Sequence, residues 1–267
     1  LFIALPVTVY AMTGSALAVG GLLLARTLPS ILFSSIGGVL VDRWERRRTL
    51  VAVNLLLAIT LLPVLLVTST DMLWLIYAVT FVQSLLGQLF APAENAMLPL
   101  LSDPEHLVSA NALNALNNNL ARLIGPAIGG ILAPLVGLSG VAIVDAITFI
   151  LAGLLCVLIT VTSHPAVENT DDETTSIRKF LQDWWDGIQL IWRKRTVRIL
   201  FIVSVLPAIG ESVMYVLFVP FVTEVLRGDA VHVGGLMSAQ AIGGIIGGMI
   251  IGRIAQRIPT TRLLGYS

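Results

Sequence analysis

The sequence predicts an all-α protein that crosses a membrane several times, and three observations carry that reading. Apolar runs long enough to span a bilayer recur along the chain, charge is scarce within them, and the basic residues collect in a few short segments. Hydrophobic residues make up 56% and charged residues 12% of the 267, with a mean hydropathy of +0.91. That charged share is about half that of a soluble domain. A hydrocarbon core about 30 Å thick needs about 20 residues of helix at 1.5 Å each, and lipid offers backbone groups no partner but the helix's own.

The chain opens in an apolar run, Leu1 to Met12, and seven complete spans follow at about 17–41, 49–68, 73–100, 109–135, 138–162, 197–224 and 232–256. The long polar stretch, 163–196, divides the chain into a first part, 1–162, and a third part, 197–267. It begins with an acidic run, Glu168 to Glu173. It continues into Ile177, Phe180, Leu181, Trp184, Trp185, Ile188, Ile191 and Trp192 at three- and four-residue steps. Such a helix lies along the membrane interface with its tryptophans at headgroup depth, as a strap between the parts or as a plain tether. The chain starts without methionine inside an apolar run and stops where another span is due, so it reads as a fragment.

The net charge is zero, and placement is what informs. Of the 16 Lys and Arg, thirteen fall in or beside the loops 42–48, 101–108 and 163–196 and after the last span, which are expected to face the cytoplasm. Loops 69–72, 136–140 and 225–231 are expected outside, with Arg227 there, while Arg26 and Arg122 lie within spans. Cys156 stands alone in an apolar run, and His106, His164 and His232 sit far apart in loops. Neither pattern makes a disulfide framework or a metal site. A nucleophile elbow, a phosphate loop and a paired-carboxylate hydrolase pattern are absent, no cofactor is expected, and topology explains the basic clusters better than nucleic acid does.

Gly37 to Leu50, Gly-Gly-Val-Leu-Val-Asp-Arg-Trp-Glu-Arg-Arg-Arg-Thr-Leu, places Gly38, Asp42, Arg43, Arg46 and Arg47 in the first basic loop. A degraded copy returns as Gly248-Met-Ile-Ile-Gly-Arg253-Ile-Ala-Gln-Arg257. A second pattern, Gly125-Pro126-Ala-Ile-Gly129-Gly130, lies in the middle of the span 109–135, where a proline removes a helix hydrogen bond and glycines four apart open a groove. Gly243, Gly247 and Gly248 repeat that spacing in the span 232–256. The loop pattern resembles the signature after the second helix of the major facilitator superfamily of secondary transporters, and the Gly-Pro pattern its exporter signature in helix five. Phe90-Ala-Pro-Ala-Glu94, Ser109-Ala-Asn111 and Val144-Asp145-Ala-Ile-Thr-Phe resemble the branch with the enterobactin exporter and the macrolide efflux proteins.

The resemblance implies two parallel six-helix halves, with this chain running from the end of helix one to the start of helix nine. It also implies that helices five and eight face each other through Gly129 and Gly247, and that Asp42 holds the cytoplasmic side shut against an eleventh helix. Gln83 stands where the family carries a helix-four arginine, so no proton relay transfers to that position.

Ionisable residues inside a span cost about 2.5 to 3.5 kcal/mol each, so each calls for a partner or a water-filled cavity. Five lie away from the ends of the spans: Arg26, Glu94, Arg122, Asp145 and Glu211. Asp145 lies at a depth from which Arg26 or Arg122 is reachable as a bridge. Glu211 has no basic residue near its own depth in its part of the chain, which suits a proton-coupling role in a cavity or a partner beyond this sequence, with Asp145 and Glu94 as the further proton-coupling candidates. Asn114, Asn117, Asn118 and Asn119, with Gln83 and Gln88, either bind a polar group or bridge helices.

The sequence thus points to a monomeric transporter rather than an enzyme, in the bacterial cytoplasmic membrane. Its partners are the bilayer, protons and a small amphipathic compound of drug, macrolide or siderophore type, exported by alternating access. Import, lipid flipping or service as a membrane subunit of an ATP-driven pump are the alternatives.

Overall fold

A computed structural model of the chain describes residues 1–42, 44–159, 185, 189–190 and 192–255. Among these residues seven α-helices occur and no strand. Most of the amphipathic helix expected over 177–192, with Arg43 and Arg257, lies outside them, as do the side-chain surroundings of Gly38, Asp42 and Arg253.

Helix α1 (Ala4–Thr13) stops where Gly14 turns left-handed at φ 60° and returns its N–H to the Tyr10 carbonyl at 2.8 Å. Glycine makes that stop without a Cβ penalty. Helix α2 (Ala16–Asp42) runs the full membrane depth. Helix α3 (Arg46–Thr60) is shorter than the span 49–68 predicts. Beyond it the chain tightens into a 3-10 turn, Leu62–Leu66, in which each N–H reaches back three residues, as from Val64 to Leu61 at 3.1 Å. Pro63 has no N–H with which to continue the α-helical ladder. Helix α4 (Leu73–Leu101) follows.

Helix α5 (Leu107–Leu158) spans 52 residues, about 78 Å if straight and more than twice a hydrocarbon core. It is not straight. At Gly137 the backbone takes φ 66° and ψ −177°, a conformation only glycine adopts readily, and the chain turns back. Residues from the limb before the break, such as Gly125 and Gly129, line the same cavity as Val141 and Asp145 from the limb after it. The two spans predicted at 109–135 and 138–162 are therefore present, and the loop expected over 136–140 reduces to one residue. Gly137→Ala is expected to cost about 1 to 3 kcal/mol, read as a lower melting temperature and less folded protein in membranes. An unchanged melting temperature would show that the turn tolerates a side chain.

Helix α6 (Arg195–Pro220) ends in a π-helical turn, Phe221–Val225, and α7 (Ala230–Ala255) follows. Asp229 caps α7, its carboxylate accepting from the backbone N–H of Val231 at 3.0 Å and of His232 at 3.2 Å. The His232 ring beside it, with these backbone donors, holds the Asp229 carboxyl below the usual carboxylate range. Among the described residues six helices, counting α5 as one, are long and apolar enough to cross a membrane by length and composition. Their outer faces carry apolar side chains such as Leu17, Leu24 and Ile31, which suit lipid rather than water.

Packing separates two ends. At one end Val41, Leu50, Ala93 and Met97 are buried together, with Cys156 and Ile159 against them. The basic loop binds there: Arg46 donates to the Ala96 carbonyl at 3.3 Å, and Arg47 donates to the Val157 carbonyl. The Val157 carbonyl is among the last of its helix, which lack an internal partner and carry partial negative charge, so the Arg47 guanidinium satisfies and neutralises it. At the other end Val9, Val19, Ile76, Val219, Val222 and Val233 form a buried cluster, and Val67, Leu73 and Leu138 pack on it. The loops at 69–72, 136–140 and 225–231 thus share that end.

Candidate functional site: a cavity between the two parts of the chain

The ionisable residues of the spans converge. A cavity of about 900 Å³ is lined by Arg26, Arg122, Asp145 and Glu211, with Asn118, Thr148, Ser212 and Tyr215 among apolar neighbours. A second cavity of about 660 Å³ adjoins it and adds Ser30, Thr80, Gln83, Ser84 and Gln88. The two share Phe2, Arg26, Thr27, Asp145 and Tyr215, so they form one polar chamber in two lobes. Volumes of this order hold a drug-sized molecule. Of the five span residues singled out in the sequence, four face this chamber. Glu94 does not line it and sits on α4 beside Ala93 and Met97, towards the end where the arginine loop binds.

Within the chamber the expected ion pair is absent. No arginine lies within 4 Å of Asp145 or Glu211 among the described residues. Arg26 instead lies over the Phe2 ring at 4.5 Å from its centroid, and Phe2 meets Tyr215 with centroids 5.9 Å apart. A guanidinium is attracted to the negative face of an aromatic ring and keeps its N–H groups free at the edge. This stack links α2 to α6 through the start of the chain. Gln83 bridges helices as one of the two readings held, donating to the Leu57 carbonyl at 3.2 Å and the Thr60 hydroxyl at 3.3 Å. Asn118 points its amide at Asn114 on its own helix, 3.5 Å away, and lines the chamber.

The glycine faces meet, but at other residues than the sequence suggested. A methyl group on Gly130 would lie 2.6 Å from the Ala230 carbonyl oxygen, and one on Gly234 would lie 2.4 Å from the Pro126 carbonyl oxygen. The Ser238 hydroxyl donates to the Leu123 carbonyl at 2.7 Å. As the position on α5 falls from 130 to 123, its partner on α7 rises from 230 to 238, so the helices run antiparallel. In that register Gly247 lies about 20 Å along the axis from Gly234, too far to meet Gly129. A Cβ on Gly129 would lie 3.6 Å from Ile3, and one on Gly125, Gly243, Gly247 or Gly248 would meet nothing within 4 Å among the described residues. The missed signal was in plain view: Ala230, Gly234 and Ser238 are small residues at four-residue steps.

The two parts of the chain therefore touch near the end that carries loop 225–231. A Cβ on Gly20 would lie 3.8 Å from Val216, Tyr10 donates to the Glu224 carboxylate, and Pro126 and Gly130 hold α7.

An all-helical protein of several membrane spans, with a polar chamber between two parts, has the architecture of a membrane transport protein. The chain belongs to the Major Facilitator Superfamily, whose family model matches residues 1–267. Among curated relatives, macrolide efflux protein A of Streptococcus pyogenes is 23% identical over 243 residues, covering 90% of this chain and 58% of that protein. The multidrug efflux pump Tap of Mycolicibacterium fortuitum is 29% identical over 260 residues, covering 92% and 61%. The staphyloferrin A transporter of Staphylococcus aureus is 26% identical over 245 residues, covering 87% and 57%. The chain thus spans little more than half the length of these relatives.

Proposed function

We propose that the protein exports a small amphipathic compound from the cytoplasm or inner leaflet, with protons moving inward through a carboxylate of the chamber. The observation that carries this reading is the convergence of Arg26, Arg122, Asp145 and Glu211 on one chamber between the two parts. Charged groups held inside a membrane and unpaired with one another need water, a substrate or a proton to sit beside them. The relatives named for macrolide and multidrug efflux support outward transport. The arginine-rich loops favour the cytoplasm for the end at which they lie, which puts the contact between the two parts at the outer end in this reading.

The test is transport by the full-length protein in sealed vesicles with an imposed pH gradient of either sign. Uphill movement of a fluorescent amphipathic drug opposite to the proton gradient is the expected result. Movement that follows the drug gradient alone, whatever the pH gradient, would remove proton coupling from the account.

A further inference from the structure

The gate at the closed end contains a polar pair that no sequence motif marks. Tyr10 on α1 donates its hydroxyl to the Glu224 carboxylate, bridging 214 residues of chain and joining the two parts. Around them the joint is apolar and tight, with Val9, Val219, Val222 and Val233 buried. Glu224 sits in the π-helical turn Phe221–Val225, where Leu226 N–H reaches back five residues to the Phe221 carbonyl at 3.2 Å. The Thr223 hydroxyl is held by the Val219 carbonyl at 2.9 Å, and Gly228 N–H by the Val222 carbonyl at 2.8 Å. An i to i+5 turn inserts one residue into the helical path, re-aims the side chains it carries, and occurs most often at functional positions.

We propose that Tyr10 and Glu224 form the latch of the outer gate, the pair that holds this end shut while the chamber is open to the cytoplasm and that must part for release outside. This rests on the alternating-access reading above. Three features support a latch over a simple brace. The bond crosses between the two parts rather than within one. It lies at the end where they touch, beside the close approach of Gly130 to Gly234. The carboxylate has no competing charge at the joint, since Glu224 forms no ion pair among the described residues. Apolar packing closes the gate in any register, whereas one hydrogen bond to a carboxylate adds direction and a defined point of release.

The experiment measures access to the chamber from outside. In a Cys156→Ala background, Ser212→Cys places one thiol on the chamber wall, and a membrane-impermeant maleimide is added to the outer face of intact cells. Tyr10→Phe and Glu224→Gln should each raise the external labelling rate on the order of tenfold, the worth of a hydrogen bond to a charged group. The double variant should go no further than the stronger single, because both remove one interaction. Membrane abundance should stay near that of the background protein. Unchanged external labelling in both folded single variants would overturn the latch, and so would lower abundance without a change in access, the mark of a brace. If the Ser212→Cys thiol labels only from the cytoplasmic side in vesicles under every gradient and drug concentration tried, alternating access itself falls, and the latch with it.

Discussion

Leucine at Gly130 or at Gly234 should abolish transport, because backbone atoms occupy the space that its Cβ would enter. The nearest neighbours are carbonyl oxygens at 2.6 Å and 2.4 Å, and neither belongs to a side chain that can rotate away. Overpacking of this kind costs about 1 to 3 kcal/mol where side chains yield and more where backbone must move. The α5–α7 joint would separate, and transport is expected to fall by more than tenfold. Even Gly234→Ala should be harmful, since the clash begins at Cβ. Gly247→Leu is the internal control: a Cβ there would meet nothing within 4 Å among the described residues, so the melting temperature should fall far less than for leucine at 130 or 234. Normal transport with leucine at both 130 and 234 would show that the observed contact plays no part in the cycle.

Glu211→Gln should stop uphill export driven by a pH gradient while sparing downhill exchange of substrate. Glutamine keeps the size and hydrogen-bonding reach of the side chain and removes only the exchangeable proton. Glu211 faces the chamber from α6 with no base within 4 Å, as a residue must if it is to take a proton on one side and give it up on the other. Asp145 is the rival, because it lines both lobes. Sequence reasoning made it half of an arginine bridge, so that Asp145→Asn would strand a charge and reduce folded protein. The structure forms no such bridge, and Asp145→Asn is now expected to leave membrane abundance near normal. Gradient-driven export that survives Glu211→Gln and fails in Asp145→Asn would move the proton site to Asp145.

The spans were legible because a helix in lipid must be both long and apolar, and both properties are local. Their ends were less so. Pro63 sits in an apolar run that hydropathy alone joins to α3, while the missing N–H ends the α-helix at Thr60. The loop at 136–140 looked necessary because two spans need a connection, yet one glycine at φ 66° suffices. Within the site, the cost of burying charge identified Arg26, Arg122, Asp145 and Glu211, and they do share a chamber. Their pairing was not legible, since it depends on rotation about each helix axis, which repeats in the sequence do not specify. Phe2 as the partner of Arg26, and Tyr10 as the partner of Glu224, carry no motif at all. The glycine contact failed for a related reason: four-residue spacing says that a helix can be approached closely, and only the antiparallel register says where. That register selects Gly130 with Gly234 and leaves Gly247 open.

The central claim is that the two parts rock about the chamber. Spin labels on exposed positions test it most directly. One pair, at Asn117 and Ile246, would report the ends of α5 and α7 nearer the arginine loop, and the other, at Thr70 and Leu226, the end where the two parts touch. Pulsed dipolar spectroscopy on the full-length protein, at several pH values and with drug present, would read both distances. The account expects them to change in opposite senses, the 117–246 distance shortening as the 70–226 distance lengthens. Distances that stay fixed, or that grow and shrink together, would contradict it.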